Sequence, residues 1–336
     1  MTRYIADYNK LVGIFESGTS GEPMTGSSFW IGQVQEHSVD EAENKLVNRY
    51  LGTETRSYDA IEQGPRDVTG TFSYHPMDMR LPFWCVGSIF DTSGTNSEHT
   101  ATEVNTNVRQ NPFVSGTGDL NPPISFTLED SKQAAGTGKN FIRTINGVCI
   151  NNVTITSSQG EKVKVDIDYI GKTSSFSSGT TTAVTEITGR PYLWSDCSLT
   201  LGTNAINTAK EIALAINQNF EAPHYINGSR DISTPYPKDR ENSLSVTMDL
   251  DSDVAKTLYE TYYKSNTTFN GVFDLDADST TGSQHTIYTL SGCKVMSMEN
   301  PSTIDGATES SIEIMPKTIS AVEYTSLIGS GQLNPW

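Results

Sequence analysis

The sequence predicts a mainly β protein built as two tandem β-sandwich domains, each with one flanking α-helix. Three observations carry that prediction. The 336 residues exceed the roughly 100–200 that usually share one core. Apolar residues make up 35% and charged residues 19%, with Ser, Thr, Asn and Gly filling the gap, which suits thin, loop-rich sheets. Two separate stretches also recur in the same order, and internal self-similarity outranks any local signal.

The first repeat pairs "INGVCINNVTITSSQGEKVKVDIDYIGKT" (145–173) with "LSGCKVMSMENPSTIDGATESSIEIMPKT" (290–318). In both, a glycine (Gly147, Gly292) opens a β-rich run, a second (Gly160, Gly306) marks a turn, and an alternating strand ends in Lys-Thr. The second repeat pairs "GPRDVTGTFSYHPMD" (64–78) with "YPKDRENSLSVTMD" (236–249), matching Pro65 to Pro237, Asp67 to Asp239 and Ser73 to Ser245.

Taken in order, Val68, Gly70, Phe72 and Tyr74 alternate with polar residues, as do Leu244, Val246, Met248 and Leu250; this is the period of a half-buried strand. A helix follows each. In the second copy Val254, Leu258 and Tyr262 recur every four residues behind Asp251, Ser252 and Asp253, which supply a cap and first-turn negative charge. In the first copy "MRLPFWCVGSIF" is shorter, with Pro82 where a helix begins. Each copy then closes with the glycine-opened hairpin. Val163, Val165, Ile167 and Tyr169 point inward against Lys164, Asp166 and Asp168; Ile312 and Ile314 point inward against Glu313. The boundary falls in the Ser/Thr/Gly-rich connector 171–189, giving domains 1–180 and 181–336. The first copy carries an extra polar, turn-rich loop over about 91–126, long enough to be functional; we expect it to reach a neighbouring subunit or the next layer of an assembly.

Chemistry is sparse. "GTGKN" (136–140) lacks the first glycine and the Ser/Thr of a phosphate loop. Asp249, Asp251, Asp253 and Glu260 have calcium-loop spacing, but Val254 replaces the required glycine. The five histidines are dispersed, with no nucleophile elbow or metal spacing. Cys85, Cys149, Cys197 and Cys293 are single and read as buried reduced thiols. No cofactor, metal or enzymatic activity is expected. The N-terminus lacks a secretory apolar core and no stretch approaches a membrane span, so cytoplasmic synthesis is expected.

Lys and Arg number 23 against 40 Asp and Glu, a formal charge of −17. That balance disfavours tight binding to phosphate backbones. It remains compatible with nucleic acid passing close by.

The order of the pieces, "IGQVQE" (31–36), "GPRDVTGTFSYHPMD", "MRLPFWCVGSI", the 147–172 hairpin, and a second set from "IALAINQNFEAPHYINGSRD", resembles the major tail tube proteins of long-tailed bacterial and archaeal viruses over about residues 30–320. The resemblance implies tube-like domains whose inner strands close into a ring-shaped barrel on oligomerisation. It also implies stacked rings in the virion tail, assembled in the host cytoplasm, through which double-stranded DNA passes without specific binding. The implied partners are other copies of the chain and tail proteins such as the tape measure, tail tip and terminator. The simplest members carry one tube unit and form six-membered rings. Two units per chain imply a homotrimeric, pseudo-hexameric ring, with Asp166, Asp168 and Glu313 as candidate channel-lining residues. The alternative is a carbohydrate-binding or adhesive β-sandwich, with Trp30, Trp84 and Trp194 as sugar platforms.

Overall fold

The computed structural model describes residues 9–16, 23–48, 60–86, 88–91, 98–102, 125–133, 140–187, 189–249, 252–277, 284–299 and 309–325. Strands β1 (Lys10–Glu16), β2 (Pro23–Trp30), β3 (Gln33–Asn48) and β4 (Ala60–His75) lead into helix α1 (Arg80–Val86). Then come β5 (Ser88–Asp91), β6 (Glu98–Thr102), β7 (Ser125–Gln133), β8 (Asn140–Ser158), β9 (Lys164–Gly171) and β10 (Thr173–Ser177). The second half runs β11 (Cys197–Leu201), β12 (Asn204–Ala205), β13 (Ala209–Asn217), β14 (Phe220–Glu221), β15 (Tyr236–Pro237), β16 (Glu241–Asp249) and helix α2 (Ser252–Thr257). It ends with β17 (Phe269–Asp276), β18 (Gln284–Glu299), β19 (Glu309–Met315) and β20 (Thr318–Thr325).

Eighteen of these strands hydrogen-bond into one sheet, and β14 and β15 pair with each other. In the first half β1 pairs β2 and β7, β7 pairs β8, β8 pairs β9 and β10, β9 pairs β4, and β4 pairs β3. The second half follows the same scheme. There β11 pairs β12 and β17, β17 pairs β18, β18 pairs β19 and β20, β19 pairs β16, and β16 pairs β13. Two further ladders, β8–β13 and β6–β20, join the halves. The halves thus belong to one hydrogen-bonded network, and β10 occupies part of the expected connector by pairing back onto β8.

The ladders also correct one equivalence read from the sequence. Thr71 pairs with Asp168 on β9, and Ser245 pairs with Glu313 on β19. The hairpins 145–173 and 290–318 match without a gap, so Thr71, not Ser73, occupies the position of Ser245. The displacement is two residues, which leaves each side chain on its expected face.

The alternation does what the sequence requires. Val165, Ile167 and Tyr169 are buried, as are Leu244, Val246, Met248, Ile312 and Ile314, in one apolar cluster that also takes in β7, β17 and α1. All seven residues of α1 are buried; Pro82 sits in its first turn, where a missing N–H costs nothing. Trp84 packs against Phe29 and Phe126, with ring centroids 5.4 and 5.8 Å apart, so it is a core residue and not a sugar platform. Trp194 is exposed. The second helix begins where expected, but Leu258–Lys264 is π-helical, which brings Tyr262 onto Phe269 with centroids 4.4 Å apart. Cys85, Cys149 and Cys293 are buried and Cys197 is half-buried, and none of the four is in a disulfide. Burial pushes the thiols of Cys197 and Cys293 up to about 11. Of the 91–126 loop, the described β6 pairs with β20 of the same chain; residues 103–124 lie outside the described residues. So do Asp251 and the phosphate-loop-like residues 136–139.

Candidate functional site

Eight strands form one continuous ladder in the order β3–β4–β9–β8–β13–β16–β19–β18. The order is a four-strand set followed by its counterpart: β13 stands where β3 stands, and β18 stands where β8 stands. One face of the ladder feeds the core. Residues of the other face are mostly polar and short.

All three residues singled out by the sequence lie on that polar face. Asp168 is paired across the ladder with Thr71 and Asn152, and Asp166 with Ser73 and Thr154. Glu313 is paired with Ser245 and Ser297. Asp168 and Glu313 occupy the same position in their respective halves, four strands apart, or about 19 Å at the usual strand spacing. They share a face but not a pocket, so they form a distributed surface and not a catalytic pair.

Their local partners differ. Asp166 pairs with Lys164 at 2.8 Å, which offsets part of its charge. Asp168 accepts a hydrogen bond from the Asn152 Nδ2 at 3.1 Å, and Glu313 accepts one from the Ser297 hydroxyl at 3.4 Å. Both residues are exposed, so their carboxylates face solvent on this surface.

Sequence reasoning missed further acids on this face. Glu36 and Asp40 on β3 pair across to Ser73 and Thr69, whose partners on β9 are Asp166 and Ile170, so both acids share the face of Asp166 and Asp168. Glu211, Glu299 and Glu309 add charge in the second half. Alternation could not reveal the acids of β3, because "QVQEHSVDEAENKLVN" is polar on both faces. Lys210 lies 2.7 Å from both Asp249 and Glu309, and these carboxylates raise its pKa. It is the counterweight at one end of a predominantly negative face.

No cluster of His, Cys, Asp or Glu among the described residues could hold a metal ion. Among them, too, no helix is long and apolar enough to cross a membrane. The ends of the eight-stranded ladder are open among the described residues: β3 pairs only with β4, and residues 294–299 of β18 pair only with β19.

Fold and face together define a structural β protein with a broad acidic surface between two open strand edges. The family model of the phage tail tube protein matches residues 42–316. The chain belongs to that family, which makes it a structural protein of the virion tail that assembles with copies of itself and other tail proteins into a tube. No curated protein matches the sequence.

Proposed function

We propose that the chain carries a duplicated tube unit, that three copies close into a ring, and that stacked rings form an acidic channel for genome delivery. The observation that carries this reading is the β8–β13 ladder. Within one chain it already joins the last strand of one four-strand set to the first strand of the next. The open β3 and β18 edges are the same two elements, ready to repeat that joint between chains. Exposed edges of this kind pair readily, and closing them into a ring removes them.

The duplication is supported by the matching pairing schemes and by Gly147 and Gly292, which adopt φ values of 66° and 63° at equivalent positions. Three chains contribute twenty-four strands. At about 4.8 Å between strands and a tilt of about 40°, these make a barrel about 48 Å across, wide enough for a nucleic-acid duplex. Six chains with all strands in the wall would double that bore. Six chains with one set turned outward would have to break the β8–β13 ladder.

With the apolar face committed to the core, the polar face becomes the channel wall, lined by Asp166, Asp168 and Glu313 together with Glu36 and Asp40. A negative wall keeps the passing phosphates from binding at many points. Tape measure, tail tip and terminator proteins are the further partners in this reading. Averaged end-on views of assembled tubes by electron microscopy test it. Threefold symmetry with a bore near the estimate is the expected result; true sixfold symmetry with six chains per ring overturns it.

A further inference from the structure

The joint inside the chain specifies the register of a joint between chains. Seven consecutive pairs, from Glu211 with Ser158 to Asn217 with Asn152, connect β13 to β8. Strand β3 matches β13 through a shared irregularity: the pairing with the neighbouring strand shifts between Val34 and Glu36, and likewise between Ala209 and Glu211. That alignment sets Asp40 at the position of Ala215 and Ala42 at that of Asn217. Strand β18 matches β8 in the same way, with shifts between Val295 and Ser297 and between Ile150 and Asn152. Glu299 therefore takes the place of Thr154, and Ser297 that of Asn152.

Within the chain, Ala215 pairs with Thr154. The same position between chains would hold Asp40 against Glu299. Both are exposed, and both lie on the polar face. On the core-facing side the pair would be Glu41 against Met298, with Glu41 already held by Arg143 at 3.0 Å and Arg66 at 3.5 Å.

Resting on the ring reading above, we propose that chains join in this register and that the Asp40–Glu299 opposition makes the joint sensitive to ionic strength, unlike the joint within the chain, which sets no two like charges opposite each other. Like charges directly opposite each other destabilise a strand pair, and exposed charges are screened by salt. Salt then favours ring closure while leaving the fold of each chain unchanged, so that free subunits are held apart where screening is weak.

A charge-reversal cycle tests this on the full chain. Ring formation is followed by native mass spectrometry and by sedimentation across a range of sodium chloride, with circular dichroism as a check on folding. For the wild type, the protein concentration needed for rings is expected to fall as salt rises. Asp40→Lys or Glu299→Lys alone should lower that concentration about tenfold at low salt and flatten the salt dependence, since each creates an opposite-charge pair. The double variant faces Lys with Lys and should lose both gains. Asp40→Asn with Glu299→Gln should assemble with little response to salt. Threefold rings in which the single variants have no effect, or in which the double variant keeps the sum of both gains, overturn the register alone. Sixfold rings, or no rings under any salt, overturn the ring reading and this joint with it.

Discussion

The hairpin β8–β9 and its counterpart β18–β19 share a register, a ladder irregularity and a glycine with positive φ, yet each half supports that glycine differently. The Gly147 N–H donates to the fully buried carboxylate of Glu16 at 2.6 Å, and Ser125 and Thr127 also donate to it, at 2.6 and 3.0 Å. In the second half the Gly292 N–H donates to the Asn270 side-chain oxygen at 3.1 Å, at an exposed position. The comparison separates two kinds of constraint. Backbone geometry is the same in both halves because the ladder dictates it, whereas the side chains that satisfy it depend on how deeply each glycine lies.

Side-chain volume shows the same trade. Gly70 and Leu244 are equivalent, and so are their ladder partners Tyr169 and Ile314. A Cβ at Gly70 would lie 2.3 Å from the Tyr169 Oη. One half fills the space from β9 with a large ring, and the other fills it from both strands with aliphatic chains.

The largest expected effect breaks the support of the first glycine. Glu16→Ala strips the buried Gly147 N–H and Ser125 hydroxyl of their acceptor, leaves Thr127 only the Asn146 side-chain oxygen at 3.2 Å, and should cost about 4 kcal/mol, whereas Asn270→Ala, where water can substitute, should cost less than about 1 kcal/mol. Urea denaturation of both variants checks the ratio; equal costs would remove the distinction between buried and exposed support. Next, Gly70→Leu should destabilise by about 3 kcal/mol through overpacking, and Tyr169→Ile by about 2–3 kcal/mol through the cavity left. The double variant reproduces the Leu244–Ile314 arrangement, so it should cost clearly less than the sum. Strict additivity would mean that the two halves do not solve one packing problem in two ways.

A third experiment addresses the contact between the halves. Glu323 is fully buried on β20 and accepts the Met79 N–H at 3.0 Å. Burial, with Asp78 nearby, pushes its pKa up to about 8. The folded chain thus holds a proton that the unfolded chain releases near pH 4 to 5. Stability should fall as pH rises from about 4.5 to about 8 and level off above that. Glu323→Gln keeps the acceptor and removes the titration. It should gain about 2 kcal/mol at pH 8.5 and nothing at pH 4, as read by thermal unfolding across pH. The smallest stability effect belongs to the polar face. Replacing Asp166, Asp168 and Glu313 with Lys should change stability by no more than about 1 kcal/mol. If that face lines the channel, tubes should still form but genome ejection should slow; wild-type ejection would count against the placement.

Much of this was legible in the sequence where alternation was clean. The runs around Val165 and Ile312 announced both their strands and their faces, and Asp168 and Glu313 were found as a matched pair because the hairpins align without a gap. The 64–78 repeat was harder, since a two-residue slip preserves the alternation and only the ladder fixes the register. Strand β3 gave no signal about its faces, which hid Glu36 and Asp40. The β8–β13 joint links residues about sixty positions apart, and nothing local encodes such a pairing. Glu323 was hidden for a different reason: in "ISAVEYT" the outward Val322 and Tyr324 are no less apolar than the inward Ala321.

Strand β8 is a single backbone of nineteen residues. Its first half is bonded to β7 and β10, and its second half to β9 and β13; the first half of β18 is likewise bonded to β17 and β20, and its second half to β19. Two ladders threaded by one covalent chain cannot slip past each other without breaking hydrogen bonds along its whole length, so they carry shear together, as a bonded laminate does. A tube made from such walls should resist twisting and local denting as one stiff shell and, if it is built of stacked rings as proposed, should bend only where one ring meets the next.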